Sequence, residues 1–232
     1  MKRLIISGFP CPQAAWADFL PAEDGTEQEI ISFYDVISKA YGKRNFFDLV
    51  THIADILITY KPGLIIMHDI GVTLGLLSLI RVKKTQKDFL PRIVAFNGAF
   101  RGFNVFKNTH PLRIQLMSYQ AFEKEVLLNG GEVDVRFKDI FADIKHLYRQ
   151  IAIFSLSSML RNLFKKKNRD KIQIGEAILV LASKDDPYIP VECLRNIELT
   201  FTNTTLKIFN YGHFPYSNNN KEMQQEIKNF LN

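Results

Sequence analysis

The 232-residue chain has only two cysteines, Cys11 and Cys193. Two widely separated cysteines give no metal-ligand spacing and no disulfide framework, and they suit a reducing compartment. No apolar run approaches the roughly 18 residues that a membrane-spanning helix needs. The start, MKRLIISGFP, is basic, but Ser7-Gly8 soon ends its apolar stretch, which is too short for a secretory signal. The expected location is therefore the cytoplasm. The chain has no internal repeat and no motif for DNA or RNA, so neither nucleic acid nor membrane is an expected partner. Charge is only mildly one-sided, with a formal net of +6. Much of the excess sits in KKKNRDK, residues 165–171. That run reads first as a solvated loop or helix end and second as a docking patch for an anionic partner.

What is present is an ordinary globular composition, 47% hydrophobic and 23% charged. The length fits one domain with a sizeable core. Short apolar segments alternate with helical patterns. RLIISG, EQEIISFYD, GLIIMH, RIVAFNG, EAILVLAS and TLKIFNYG read as strands. AAWADFLP, NFFDLVTHIADILITY, the stretch from Val72 to Ile80 and KEMQQEIKNFL read as helices. The last has the polar run Ser217 to Asn220 as its cap. Such alternation predicts an α/β fold, a mostly parallel sheet with helices on both faces.

Between residues 102 and 170 the alternation fails. RIQLMSYQAFEKEVLL and DIFADIKHLYRQIAIFSLSSMLRNLF read as helices, and the span is too long for a simple connection. The expected organisation is a core domain of residues 1–101 and 171–232, with residues 102–170 inserted as a small helical cap. The bland alternative is an extra pair of core helices.

Ligands of open parallel sheets bind beyond the carboxyl ends of the strands. Four groups fall there: Gly8-Phe9-Pro10, Asp69, Asp185-Asp186-Pro187 and Gly212-His213. Two acids and a histidine are thereby expected on one edge of the sheet.

These segments resemble the α/β-hydrolase fold over nearly the whole chain. The nucleophile elbow of that fold, small-x-nucleophile-x-Gly, is similar to Met67-His68-Asp69-Ile70-Gly71. Met67 departs from the usual small residue. Ser7-Gly8-Phe9-Pro10 resembles the oxyanion loop, with serine where histidine is usual. Ser183 to Pro190 resembles the acid loop, with Asp186 as the better acid, and Tyr211 to Pro215 resembles the histidine loop. The order nucleophile, acid, histidine also matches. The resemblance implies a minimal sheet of about six strands.

The resemblance further implies a role for each residue. Asp69 would be a carboxylate nucleophile, as in epoxide hydrolases and haloalkane dehalogenases, forming an alkyl ester. His213, oriented by Asp186, would activate water. Backbone N–H groups of Phe9 and Ile70 would form the oxyanion hole. Tyr119 and Tyr148, in the inserted span, are candidate donors to an epoxide oxygen, although each alone also reads as a packed aromatic. Trp16 and Phe100 are candidate substrate contacts, each also readable as core. Ile70 stands where haloalkane dehalogenases carry tryptophan, and where many epoxide hydrolases do as well, which counts against both. No metal or cofactor is expected, and the partner is a small molecule. Two other readings stay open: an esterase or thioesterase with Asp69 in place of serine, and a non-catalytic binding protein on a hydrolase scaffold.

Overall fold

Alternate residues of the central strands feed two separate cores. Leu4 and Ile6, Ile65 and Met67, and Ile93 and Ala95 pack on one side. Ile5, Leu64, Ile66, Val94 and Phe96 pack on the other. This is the period of a pleated strand, and burial on both faces is why these strands read as continuous apolar runs.

In the computed structural model the strands are β1 (Lys2–Ile6), β2 (Glu27–Ile31), β3 (Leu64–His68), β4 (Arg92–Phe96), β5 (Ile178–Ser183) and β6 (Thr204–Phe209). All six pair in parallel, in the order β2-β1-β3-β4-β5-β6. The structure describes the chain apart from residues 9–10, 22–23, 33, 35–44, 101–109, 164–170, 218–219 and 232, together with the side chains of 110–112, 155 and 158–163.

Eight helices lie among the described residues: α1 (Gln13–Phe19), α2 (Phe46–Tyr60), α3 (Ile70–Val82), α4 (His110–Leu116), α5 (Tyr119–Leu128), α6 (Phe137–Leu163), α7 (Val191–Thr200) and α8 (Lys221–Leu231). Helices α1 and α8 cover one face through Trp16, Phe19, Met223 and Ile227. Helices α2, α3 and α7 supply the core of the other face, which α4, α5 and α6 extend. Those last three lie between β4 and β5, in the span that the sequence reads as a cap.

Side-chain caps set the starts of three helices. Asn45 and Asp48 form a reciprocal capping box at the start of α2. Asn220 Oδ1 accepts the Met223 N–H at 3.0 Å, capping α8 as expected. RIQLMSYQAFEKEVLL is not one helix. It breaks before Tyr119, where Ser118 Oγ accepts the Ala121 N–H at 3.2 Å and starts α5. Helix α7 was not among the predicted elements. All of the basic run except Lys171 lies outside the described residues.

Candidate active site

Strand β3 ends at His68 and α3 begins at Ile70, so Asp69 alone makes the turn. Its backbone has φ 51° and ψ −123°. A side chain in so sparsely populated a region costs about 1–3 kcal/mol and persists only where its surroundings fix it. Close packing fixes it here. A Cβ on Gly71 would lie 2.3 Å from the Ile6 carbonyl oxygen, so α3 crosses directly over β1. A Cβ on Gly75 would lie 2.4 Å from Met67 Sδ, so Gly75 leaves the room that Met67 needs below the elbow. Gly8 passes equally close, with a Cβ there falling 2.5 Å from Asp69 Cβ.

The three predicted catalytic residues come together. Asp186 follows β5 and His213 follows β6. His213 Nδ1 lies 2.9 Å from Asp186 Oδ2. Asp186 Oδ1 accepts the N–H groups of Tyr188 at 2.7 Å and Ile189 at 2.9 Å, which fixes the carboxylate. An acceptor at Nδ1 makes that nitrogen the protonated one in the neutral ring. Nε2 is then free to act as a base, and it faces Asp69 Oδ1 across 3.9 Å. Burial alone would lower the His213 pKa. The charge and hydrogen bond of Asp186, with the Asp69 charge, outweigh burial and raise it above the ordinary histidine value.

The two candidate tyrosines part company. Tyr148, on α6, donates its hydroxyl to Asp69 Oδ2 at 3.1 Å. Burial first, then the Asp69 charge and this hydrogen bond, push its pKa well up, so the hydroxyl keeps its proton. Tyr119 is half-buried on α5, with its hydroxyl 3.5 Å from Glu123 and its ring edge-on to Phe141. The structure gives it no place beside Asp69.

The proposed substrate contacts fall elsewhere. Trp16 is wholly buried on the α1 and α8 side of the sheet and donates Nε1–H to Ser7 Oγ at 3.1 Å. Phe100 is wholly buried against Phe201, with ring centroids 4.8 Å apart. Both are core residues. Ile70 is the first residue of α3, where a helix has no intrahelical partner for its N–H. Phe9 lies outside the described residues.

A small cavity opens above His213, walled by Tyr148, Tyr188, Phe122, Val126 and Phe214, with Arg113 and Glu125 among its polar lining. Arg113 and Glu125 form an ion pair at 2.7 Å. The space open to the centre of a water molecule is about 20 Å³, room for about one water.

Tyr188, Ser183 and Asn97 were missed at the site by sequence reasoning. The Tyr188 ring stands edge-on to His213 at 4.9 Å, and its hydroxyl accepts from Asn129 Nδ2 at 2.9 Å. Ser183 Oγ accepts the Tyr211 N–H at 3.1 Å and the Gly212 N–H at 3.0 Å. His68, which the sequence reads as supporting the elbow by packing or a backbone hydrogen bond, donates Nε2–H to the His213 carbonyl oxygen at 3.0 Å. Burial, then the nearby His213, push the His68 pKa well below the ordinary value, so that ring is neutral. Asn97, at the end of β4, bonds to the same loop. The available signal was common to Ser183 and Asn97: a polar residue at or just past the carboxyl end of an apolar strand.

No protein-family model matches the chain, and no curated protein matches it in sequence. Solved structures do. RedJ, with a PEG molecule bound in the active site, superposes with a TM-score of 0.68 at 11% identity, covering 100% of this chain and 88% of that one. The type II thioesterase BorB from the borrelidin biosynthetic cluster gives 0.63 at 14% identity, covering 100% and 93%. The epoxide hydrolase from Bacillus megaterium, in complex with an inhibitor, gives 0.60 at 16% identity, covering 99% and 93%. With its all-parallel six-stranded sheet flanked by helices, the chain has the α/β-hydrolase fold.

Proposed function

We propose that the protein is a hydrolase that opens a small, largely apolar electrophile through an ester on Asp69, with an epoxide as the best-fitting substrate. The observation that carries this reading is the pairing of Asp69 with two different partners. Tyr148 stands at 3.1 Å from one carboxylate oxygen, and the His213–Asp186 pair faces the other.

In this reading an Asp69 oxygen attacks a ring carbon of the epoxide. The carbon–oxygen bond of the ring breaks, and the leaving alkoxide takes the Tyr148 hydroxyl proton. Water then attacks the Asp69 carbonyl carbon while His213 Nε2 takes its proton. Asp186 stabilises the resulting imidazolium. The N–H group of Ile70 holds the tetrahedral oxyanion. The ester bond breaks, the departing alkoxide takes the proton of the hydroxyl just added to Asp69 and leaves as the diol, and the proton on His213 returns to the tyrosinate through solvent.

A second reading is an ester or thioester hydrolase. It is favoured by the likeness to type II thioesterases. Attack by Asp69 on an acyl group would give an anhydride instead of an alkyl ester. The two are separated by intact-protein mass spectrometry of the wild type and His213→Gln after exposure to small epoxides, haloalkanes and activated esters. A stable increment on Asp69 of His213→Gln with an epoxide supports the first reading. Absence of any adduct, with ester hydrolysis appearing in Asp69→Ser, replaces it with the second.

A further inference from the structure

Asn97 follows β4 directly, and its φ of 37° is one that asparagine tolerates better than most residues. Its side chain is fully buried. Nδ2 donates to the carbonyls of Gly212 and His213, each at 2.8 Å. Oδ1 accepts the Ser183 N–H at 3.0 Å, and the Tyr211 hydroxyl lies 2.8 Å away. The orientation of this amide is settled by its neighbours. Flipping it would set Oδ1 against two carbonyl oxygens and Nδ2 against a backbone N–H. The side chain thus joins the end of β4, the start of the acid loop at Ser183 and both peptide groups that carry His213.

We propose that Asn97 is a positioning residue for His213, setting the imidazole against Asp69 by holding the backbone beneath it. The proposal rests on His213 acting at Asp69 as described above. The His213 carbonyl has a second donor, His68 Nε2, which holds the oxygen from the neighbouring strand. With Nδ1 tied to Asp186 and the peptide tied to Asn97, the ring has little freedom in the face it turns to Asp69. Buried amides satisfied in this way specify one geometry, and a shift of about 1 Å at a reacting group can slow a step about 100-fold.

The test uses the nearly isosteric Asn97→Asp, which puts an acceptor against both carbonyls. His213 serves only hydrolysis of the ester, so the variant is expected to form the Asp69 adduct at the wild-type rate. It should then hydrolyse that adduct about 10- to 100-fold more slowly. General destabilisation would slow neither step selectively. Leu57→Ala, in the distant core, is the control for lost stability. The second readout needs no substrate and so stands apart from the proposed function. In imidazole nitrogen NMR the His213 titration should move in Asn97→Asp and not in Leu57→Ala. If Asn97→Asp does not fold, wild-type NMR decides the matter. Scalar couplings from the Asn97 amide protons to the Gly212 and His213 carbonyl carbons support the proposal. Their absence, with those protons exchanging at the solvent rate, overturns it. A folded Asn97→Asp with the wild-type His213 titration and adduct lifetime also overturns it.

Discussion

The hydroxyl of Tyr148 donates to Oδ2 of Asp69 from a helix 79 residues away in sequence. The contact ties α6 to the elbow of the sheet and places a proton donor directly on the proposed nucleophile. An entering epoxide would exchange partners with it, its oxygen replacing Oδ2 as the acceptor.

Tyr148→Phe removes that donor and keeps the ring. Losing a hydrogen bond to a buried carboxylate is expected to destabilise the fold by about 1.5–3 kcal/mol, read by denaturant unfolding. Epoxide opening should fall about 100- to 10,000-fold, while hydrolysis of a preformed Asp69 ester keeps its rate. Single-turnover kinetics with adduct detection separate the two steps.

The two histidines at the site pull stability in opposite directions with pH. The folded pKa of His213 is raised. Its contribution is complete below the unfolded value near 6.5 and is lost as pH rises through the folded value. The folded pKa of His68 is depressed. Its contribution is present above that same unfolded value and is lost as pH falls toward the folded one. Together these groups favour a maximum near pH 6.5, with a slope of about 1.4 kcal/mol per pH unit from each histidine on its own side. Urea unfolding across pH should give a flatter alkaline side in His213→Gln and a flatter acid side in His68→Gln.

The activity profile follows from the same ring. Because His213 must be neutral to act as a base, the hydrolysis rate of a preformed Asp69 ester should fall on an acid limb placed above pH 6.5. Asp186→Asn removes the main group raising that pKa, so the limb should move to lower pH as the rate drops. A limb that does not move in Asp186→Asn would separate His213 from the rate.

Gly71→Ala tests the packing under the elbow. The new Cβ would meet a backbone carbonyl, which cannot rotate away as a side chain end can. Overpacking is expected to cost at least about 1–3 kcal/mol, with α3 moving off β1 and Asp69 moving with it. The melting temperature and the rate of adduct formation should both decline, whereas Asn97→Asp is expected to keep the rate of adduct formation.

The sequence made the acid, the histidine and the elbow legible because each directly follows an apolar strand, and parallel strands deliver their carboxyl ends to one edge. It narrowed the proton donor to Tyr119 and Tyr148 and went no further. That choice depends on how α5 and α6 pack over the sheet, which periodicity does not encode. Trp16, readable as either pocket or core, does reach the Ser7-Gly8 turn through its bond to Ser7 Oγ, but it does so from the core on the α1 and α8 side of the sheet. Helix α7 was missed because VECLRNIELT buries only Cys193, Leu194 and Ile197, a thin apolar stripe. Asn97 and Ser183 were passed over as strand-end punctuation, since their value lies in contacts with a loop far along the chain.

In the proposed reaction Asp69 becomes covalently bound, and the ester is then hydrolysed at the carbonyl of Asp69 itself. Turnover in heavy-oxygen water, followed by mass spectrometry of the peptide containing Asp69, tests it directly with any substrate that gives the adduct. Heavy oxygen is expected in the Asp69 carboxylate, and unlabelled product in the first turnover. Labelled product from the first turnover, with an unlabelled Asp69, would contradict it.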